Sequence, residues 1–549
     1  SARFSATLRA MPRSALGAIW IAALLALWVY VRTLSPTVAW VNQGEDSGDL
    51  LSASATLGIP HPTGYPLFTL LGRVASLVPI GSVAFRINLV AALAGAASVL
   101  FLALVVLELT RPRDDDARAS NAKADIGAIA AAVGAALAYA FSRGAWSQSV
   151  LAEVYTLNAA FLGAILWSLV RAERTGSVPH LALAAYLLGL GLTNHLLLLA
   201  VAPAVALVAL RSAFRRVIGP AGLVLLFLLV IWGVTLDLYL PVRASQAPEF
   251  AWGAPSSPAR LWWVLTGAQY ASHFFGRNLG EIAHHLVPGR FGLDFGIGLL
   301  ALLMGLVGVW WAKPRGMLPL LLTLLAAALL LSVYSIPDDV GYWMPVFYLI
   351  CALAGVGWAG LALGRKPAAG AEEPAPARGA GVRAGVVALA LSAGAYGLLA
   401  NYRAVDASTD VRPWVWAHQN LQALEPDALI VSEYDGRTFA LWFYKATEFR
   451  RTHPHLAVVY KYLLVWPWYQ RQIAHVYPTI AVPPYPGSMD AMMNRLIARN
   501  IRKTPVYLVR RDPALLPIFE TEPVGYGPDP LYRVRVAERA VPERSPGRR

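Results

Sequence analysis

The chain has 549 residues, of which 57% are hydrophobic and only 14% charged, and its mean hydropathy is +0.51. A soluble globular protein is about one quarter charged, so a wholly water-soluble architecture is excluded and a polytopic α-helical membrane protein is expected. The formal charge of +14 comes from basic residues that punctuate apolar runs, a pattern of loop anchors and membrane-surface contacts rather than of nucleic-acid binding.

In chain order, a basic opening gives way to an apolar run from about residue 15 to 34. The run is too long for a signal-peptide core and no small-x-small cleavage site follows, so a retained membrane helix is expected. Further runs approach the roughly 20 residues needed to cross a bilayer. The expected spans are 14–34, 86–108, 124–142, 150–170, 180–194, 196–211, 217–238, 291–312, 317–336, 342–362 and 382–401. The fifth and sixth separate only at Thr193-Asn194-His195, and one long tilted or broken helix is the alternative. Arg3, Arg9 and Arg13 precede the first span. Arg111, Arg113, Arg118 and Lys123, then Arg171 and Arg174, Arg211, Arg215 and Arg216, Lys313 and Arg315, and Arg365 and Lys366 fall on the same side if there are eleven spans. The positive-inside rule then puts the N-terminus in the cytoplasm and the C-terminus outside. The acidic stretch at 45–49 is then also outside, facing a periplasm-like compartment.

The connections are uneven. Residues 1–401 form the transmembrane domain, with long external loops at 35–85 and 239–290 and a Pro/Ala/Gly-rich cytoplasmic linker at 363–381. The first loop holds two expected surface helices, Ser47 to Ile59 and Leu67 to Val78. The second carries Tyr239, Arg243, Trp252, Trp262, Trp263, Tyr270, His273, His284 and His285. Its tryptophans read first as interfacial anchors and second as sugar-stacking platforms. Its histidines lack the spacing of a metal site, and the single Cys351 excludes both an intrachain disulfide and a cysteine-based one. From about Tyr402 the composition turns soluble. Strands at 429–433, 455–460, 506–510 and 532–536 alternate with helices at 437–447 and 467–476, which predicts a small α/β domain over 402–539. It has no Gly-rich phosphate loop and no nucleophile elbow. A Pro- and Arg-rich tail, 540–549, is expected to be disordered.

The stretch from Asn42 to Arg73 organises the chemistry. Glu45, Asp46 and Asp49 crowd together in a chain poor in charge. On a helix from Ser47, Asp46 and Asp49 lie one turn apart on one side. Asp46 reads equally as a helix cap or as a functional carboxylate. A carboxylate outside the membrane can serve as general base for a hydroxyl acceptor, and a departing phosphate needs cationic or polar donors where water is scarce. Arg73, Arg86, His195 and Arg243 are candidate donors. Arg86 also reads as a snorkelling side chain, and His195 as satisfying a helix break. Glu153, near the start of the fourth span, is a costly acid beside hydrocarbon, with Tyr155 and Asn158 on one helical face beyond it. An ion pair to Arg143 is its structural alternative. Asp338 and Asp339 form a second external acidic pair.

The run Asp46-Ser-Gly-Asp49-Leu, followed by Leu57-Gly-Ile-Pro-His61-Pro62-Thr-Gly64-Tyr65-Pro66, resembles a bacterial family of multi-span membrane proteins. That family is related to a vertebrate protein O-mannosyltransferase of the endoplasmic reticulum. Ala152-Glu153-Val-Tyr155-Thr-Leu-Asn158, Gly189-Leu-Gly-Leu-Thr193-Asn194-His195, Leu238-Tyr239-Leu-Pro-Val-Arg243 and Asp339…Tyr342…Pro345 match as well, so the resemblance covers about residues 35–345. It implies a GT-C glycosyltransferase with a polyprenyl-phosphate sugar as donor and inversion at the sugar. Mannose transfer to Ser or Thr of exported protein, or to a glycan acceptor, is the implied reaction. Carried over residue by residue, Asp46 is the general base and Asp49 its partner, with His61 and Tyr65 in the same motif. The sequence has Asp49 where the family often has Glu, and Thr63 where it often has Pro. A divalent metal is compatible with this reading and not required by it. A flippase or a non-catalytic scaffold for lipid-linked glycans is the alternative class, but the chain shows no internal repeat and few charges inside its spans.

Overall fold

The computed structural model describes residues 12–111, 126–275, 280–281, 289–312, 316–335, 339–363, 379–525 and 527–537. The predicted tail 540–549 and most of the linker 363–381 lie outside the described residues. So do His284, His285, Asp338 and the basic residues Arg3, Arg9, Arg113, Arg118, Lys123, Lys313, Arg315, Arg365 and Lys366. The chain divides into two compact units, each discontinuous in sequence.

The first unit comprises Ser1–Leu34, Asn88–Asp237 and Tyr270–Ser408. Among the described residues of the whole chain, six helices are long and apolar enough to span a membrane: Arg13–Arg32, Val83–Thr110, Tyr155–Thr175, Phe214–Ser245, Val340–Leu363 and Ala380–Val405. Ile126–Ala140 and Arg143–Ser149 form a bent pair at 68°. The spans expected at 180–194, 196–211, 291–312 and 317–336 fall on shorter apolar helices, Val178–Leu192, Leu196–Leu210, Gly298–Trp310 and Leu318–Val333. The break at Thr193-Asn194-His195 is present. His195 has extended backbone, its Nδ1 accepts from the Leu197 N–H at 3.1 Å, and a 3-10 turn follows. Asn194 braces the break by donating to the Val154 carbonyl at 2.9 Å.

Helices in lipid gain little from burying apolar groups against each other, so they pack through small residues that let backbones approach. A Cβ on Gly357 would stand 1.7 Å from the Gly305 carbonyl oxygen, and one on Gly189 would stand 2.0 Å from that of Val230. Outward faces stay apolar: Trp20, Ile21, Leu24 and Trp28 are exposed on the first helix. One buried acid had no signal in the pattern. Glu108 accepts from Arg171 at 2.9 Å, with Arg174 at 3.4 Å and Arg111 at 3.7 Å. A carboxylate this buried requires such cations, which gives these basic loop residues a second role beyond anchoring.

The second unit gathers Ser35–Ile87, Leu238–Gln269 and Thr409–Arg549. Its sheet runs in the order β2-β1-β3-β5-β4, with β1 Leu429–Ser432, β2 Ala457–Tyr460, β3 Val506–Leu508, β4 Phe519–Val524 and β5 Leu531–Val536. β1 pairs in parallel with β2 and β3, while β5 runs antiparallel to both β3 and β4. The α/β pattern read from the sequence is present, but β4 and the helices Arg412–Leu421 and Met489–Asn500 were not anticipated. β4 reads Phe-Glu-Thr-Glu-Pro-Val, and its proline and two acids suit an edge strand, which lacks a strand's usual apolar signature.

In the first loop, the helix expected to reach Ile59 ends at Thr56. Leu57 turns left-handed at φ 55°, and the chain leaves to pair with the second loop. The Ile59 N–H donates to the Phe250 carbonyl at 2.7 Å, and the Trp252 N–H donates to that of Ile59 at 3.0 Å. The second helix is Pro66–Ser76. Helix Ser47–Thr56 packs against Asp435–Thr447, where Gly48 lies flat on Phe439: an added Cβ would meet Phe439 backbone and Cβ atoms at 2.8 Å. The second loop is tied to the same helix by Glu249, which pairs with the buried Lys445 and accepts from the Tyr477 hydroxyl at 2.5 Å.

Gly48→Val is expected to lower the melting temperature of the detergent-purified protein, with an overpacking cost of about 1–3 kcal/mol, because the nearest atoms belong to backbone that cannot swing aside. A variant melting with the wild type in a thermal-shift measurement would contradict this contact.

Candidate active site

The helix start presents Asp46 in an unexpected way. Asp46 occupies the N-cap position with helical backbone and makes no side-chain capping bond. The cap reading is therefore overturned, because an N-cap side chain works by accepting from an N–H of the first turn. Ser47 does local holding instead: its hydroxyl accepts from the Ala39 N–H at 3.1 Å.

Asp49, one turn on, is 1% exposed. Its Oδ2 accepts twice from His61, from the backbone N–H at 2.8 Å and from Nδ1 at 2.8 Å. A carboxylate accepts only, so Nδ1 carries a proton. The other ring nitrogen, Nε2, lies 3.8 Å from Asp46 Oδ2. His61 thus stands between the two acids of the motif. Asp46 is the open one, its side chain 44% exposed against 14% for His61. Tyr65 meets the imidazole edge-on at 5.0 Å and donates its hydroxyl to the Pro62 carbonyl at 3.0 Å. Trp252, from the second loop, closes the other side at 6.1 Å. Gly64, at φ 91°, is held where a Cβ would strike Leu240 at 2.8 Å.

A further acid joins the site from the C-terminal stretch. Asp435 opens helix Asp435–Thr447 and accepts from the Tyr460 hydroxyl. Sequence reading started that helix at Arg437. Asp435 then looked like loop, and nothing local marks it as a neighbour of residues near the other end of the chain. The one available signal was a Tyr-Asp-Gly turn directly after a buried strand.

The electrostatics follow from this crowding. Burial lowers the proton affinity of His61, but Asp46, Asp49 and Asp435 outweigh it and push its pKa up to about 9. Burial raises Asp46 above the ordinary carboxylate range, with His61 opposing and Asp49 reinforcing. Glu45 and Asp435 are raised too, chiefly by burial and then, for Glu45, by the neighbouring acids; the Tyr460 hydrogen bond partly opposes the rise at Asp435.

A small cavity of about 20 Å³ lies beside Asp49, lined by residues including Trp252, Trp442, Trp468 and Glu249. It admits about one water. Among the described residues no three His, Cys, Asp or Glu gather as metal ligands.

The other predicted residues are placed as follows. Arg73 donates to the Ala55 carbonyl at 2.7 Å, Arg86 to that of Ser76 at 2.6 Å, and Arg243 to that of Leu57 at 2.6 Å. Tyr239 adds a bond to the Gly58 carbonyl at 2.7 Å. Arg73, Arg243 and Tyr239 clamp the end of the motif helix. Arg86 is tied to the end of the next helix and, at its Nε, to the Ser82 carbonyl at 3.2 Å. Glu153, Tyr155, Asn158 and His195 belong to the other unit. There the Tyr155 ring lies 5.2 Å from His195 and 5.6 Å from Tyr342, and His195 lies 5.6 Å from Tyr342. Glu153 and Asn158 are buried close by in sequence. The structure therefore gathers the motif residues, and separately the Tyr155–His195 group.

Comparison with known proteins now bears on this geometry. Residues 46–217 match the family described as Protein O-mannosyl-transferase TMEM260 N-terminal domain. Protein O-mannosyl-transferase TMEM260 of Mus musculus is 32% identical over 248 residues. Over that stretch this chain is similar to TMEM260. The mouse match covers 44% of this chain and 32% of the TMEM260 chain, so the alignment spans about a third of that relative's length. The Dictyostelium discoideum protein of the same name is 36% identical over 81 residues, 14% of this chain and 9% of its own. The TMEM260 match begins at Asp46, so it contains both acids of the motif, His61, and the Tyr155–His195 group. Among solved structures, ArnT from Cupriavidus metallidurans bound to undecaprenyl phosphate aligns with a TM-score of 0.58 at 15% identity, covering 97% of this chain and 100% of ArnT. Its apo form gives 0.57 at 15% identity, over 95% and 98%. At such identity the likeness is one of fold alone.

The raised pKa of His61 carries a stability consequence. A group whose folded pKa lies above its unfolded value stabilises fully below the unfolded value, here 6.5, and loses that contribution as pH climbs through about 9. The melting-temperature gap between wild type and His61→Gln is therefore expected to be widest below pH 6.5 and to shrink towards pH 9. A gap constant across that range would show that the imidazolium is absent.

Proposed function

We propose that the protein is a membrane glycosyltransferase that moves a sugar, mannose by preference, from a polyprenyl-phosphate carrier to a hydroxyl of an exported protein. The observation that carries the reading is the Asp46–His61–Asp49 arrangement, lying inside the segment that matches the TMEM260 family. The name of those relatives supports protein O-mannosylation, and the undecaprenyl phosphate bound to ArnT supports a lipid-linked donor.

In this reading Asp46 takes the proton of the acceptor hydroxyl as the new C–O bond forms. The bond between the sugar's anomeric carbon and the phosphate oxygen breaks, polyprenyl phosphate leaves, and the configuration inverts. Burial suits Asp46 to the task, since a carboxylate above its ordinary range is the better base near neutral pH. Asp49 fixes the His61 ring, and the imidazolium holds Asp46 in place without neutralising it by direct contact. Arg73, Arg86 and Arg243 are proposed to meet the donor's phosphate. A guanidinium has five N–H groups, and the backbone carbonyls named above engage only some of them. Glu153, Tyr155, Asn158 and His195 are proposed to contribute to donor binding from their own unit. The site is proposed to face the periplasm of a bacterial inner membrane, with the N-terminus cytoplasmic.

Asp46→Asn is expected to insert and purify normally but to lose transfer by about 10²–10⁴-fold, the usual contribution of a positioned base. The measurement is donor-dependent product formation by purified protein given labelled polyprenyl-phosphate mannose and a Ser/Thr peptide. Transfer at the wild-type rate would remove Asp46 from the role of base, and absence of any product from the wild type would remove the transferase reading.

A further inference from the structure

The acids of the first loop do not act alone. Asp435 comes from the far end of the chain and is bracketed by the same groups that build the site. On one side, the Trp40 indole donates to the Gly436 carbonyl at 2.8 Å, and a Cβ on Gly436 would lie 3.6 Å from Glu45 Cγ. The residue next to Asp435 is thus packed against the residue next to Asp46. On the other side, Trp252 stands between His61 at 6.1 Å and Tyr460 at 6.3 Å, and the Tyr460 hydroxyl donates to Asp435 Oδ1. Below, Phe439 contacts both Trp252 and Tyr460 at 6.1 Å while lying on Gly48.

The charged groups around Asp435 can be named from every packed element. Tyr460 of β2 reaches its carboxylate directly, and Glu45, Asp46, Asp49 and His61 of the first loop are the titratable groups that act with it through charge. The cations of its own stretch are committed elsewhere. Lys461 is bonded to Glu433 at 3.1 Å and Asp512 at 2.9 Å, Arg437 pairs with Asp529, and Arg510 donates to Tyr434. The negative charge of Asp435 therefore acts on the motif rather than on a lysine or arginine beside it.

We propose that Asp435 is a positioning residue of the transfer site, its carboxylate held by Tyr460 so that its charge keeps His61 protonated between Asp46 and Asp49. The inference rests on the reading of Asp46 as the base, and it assigns to the C-terminal stretch a share of the chemistry as well as of the fold. The ordinary alternative is an acid that merely favours its own helix N-terminus. Such an acid would leave the titration of His61 unchanged.

Diethyl pyrocarbonate modifies neutral imidazole, so its rate at His61 against pH, read by mass spectrometry of the purified full-length protein, titrates that one side chain without any need for turnover. Asp435→Asn is expected to lower the midpoint by about half a pH unit, which raises the rate at pH 8 about threefold. Asp435→Glu, which keeps the charge, should restore the wild-type profile. In transfer assays Asp435→Asn should lower kcat about tenfold with an unchanged KM for the donor. An Asp435→Asn profile for His61 that superimposes on the wild type would overturn the proposal. Wild-type protein that transfers no sugar would defeat the transferase reading, while the footprint still decides whether Asp435 governs His61.

Discussion

Two hydrogen bonds converging on one oxygen hold the site together. Asp49 Oδ2 accepts from both the backbone and the ring of His61, and this single arrangement fixes the imidazole's proton on Nδ1, its plane, and the direction of its second nitrogen. Asp46 is left partly open. One acid orients the ring and the other stays open to solvent. The division of labour arises from burial: Asp49 is enclosed by the helix it stands on, and Asp46 sits at that helix's exposed start.

Around that bond the second unit is a set of braces. Guanidinium groups clamp the carbonyls that end the motif helix, the second loop pairs its backbone with Ile59, and a lysine–glutamate–tyrosine group joins that loop to the C-terminal helix. Burying an ion pair such as Lys445–Glu249 costs desolvation that its attraction only partly recovers; its value here is in fixing which segments meet. The first unit uses a different means, glycine-mediated contact between helices. The two means suit their surroundings, since polar braces hold loops together and close van der Waals packing holds helices in lipid.

Much of this was legible in the sequence. Six expected spans land on helices long and apolar enough to cross a membrane, because a run of about twenty apolar residues is a strong local signal; one lands on a bent pair and four on shorter apolar helices. The acidic motif announced itself by its rarity in a chain poor in charge. What escaped was of two kinds. Helix Ser47–Thr56 stops early because Ile59 is recruited by Phe250, a contact nearly two hundred residues away and invisible to periodicity. Asp435 escaped for the same reason: its local pattern is that of any acid opening a helix, and its meaning comes from Tyr460 and from the residues of the first loop. The arginines were read as phosphate donors from charge alone, and the structure adds that each is also a backbone clamp.

Gly48 and Phe439 touch, yet they stand at opposite ends of the chain. During synthesis the acidic motif is made well before the helix that covers it. The motif helix must therefore wait, its Gly48 face uncovered, until helix Asp435–Thr447 has followed. A nascent or truncated chain carries every residue of the motif and none of its roof. The order of synthesis thus leaves the motif without its cover in any product that stops before helix Asp435–Thr447.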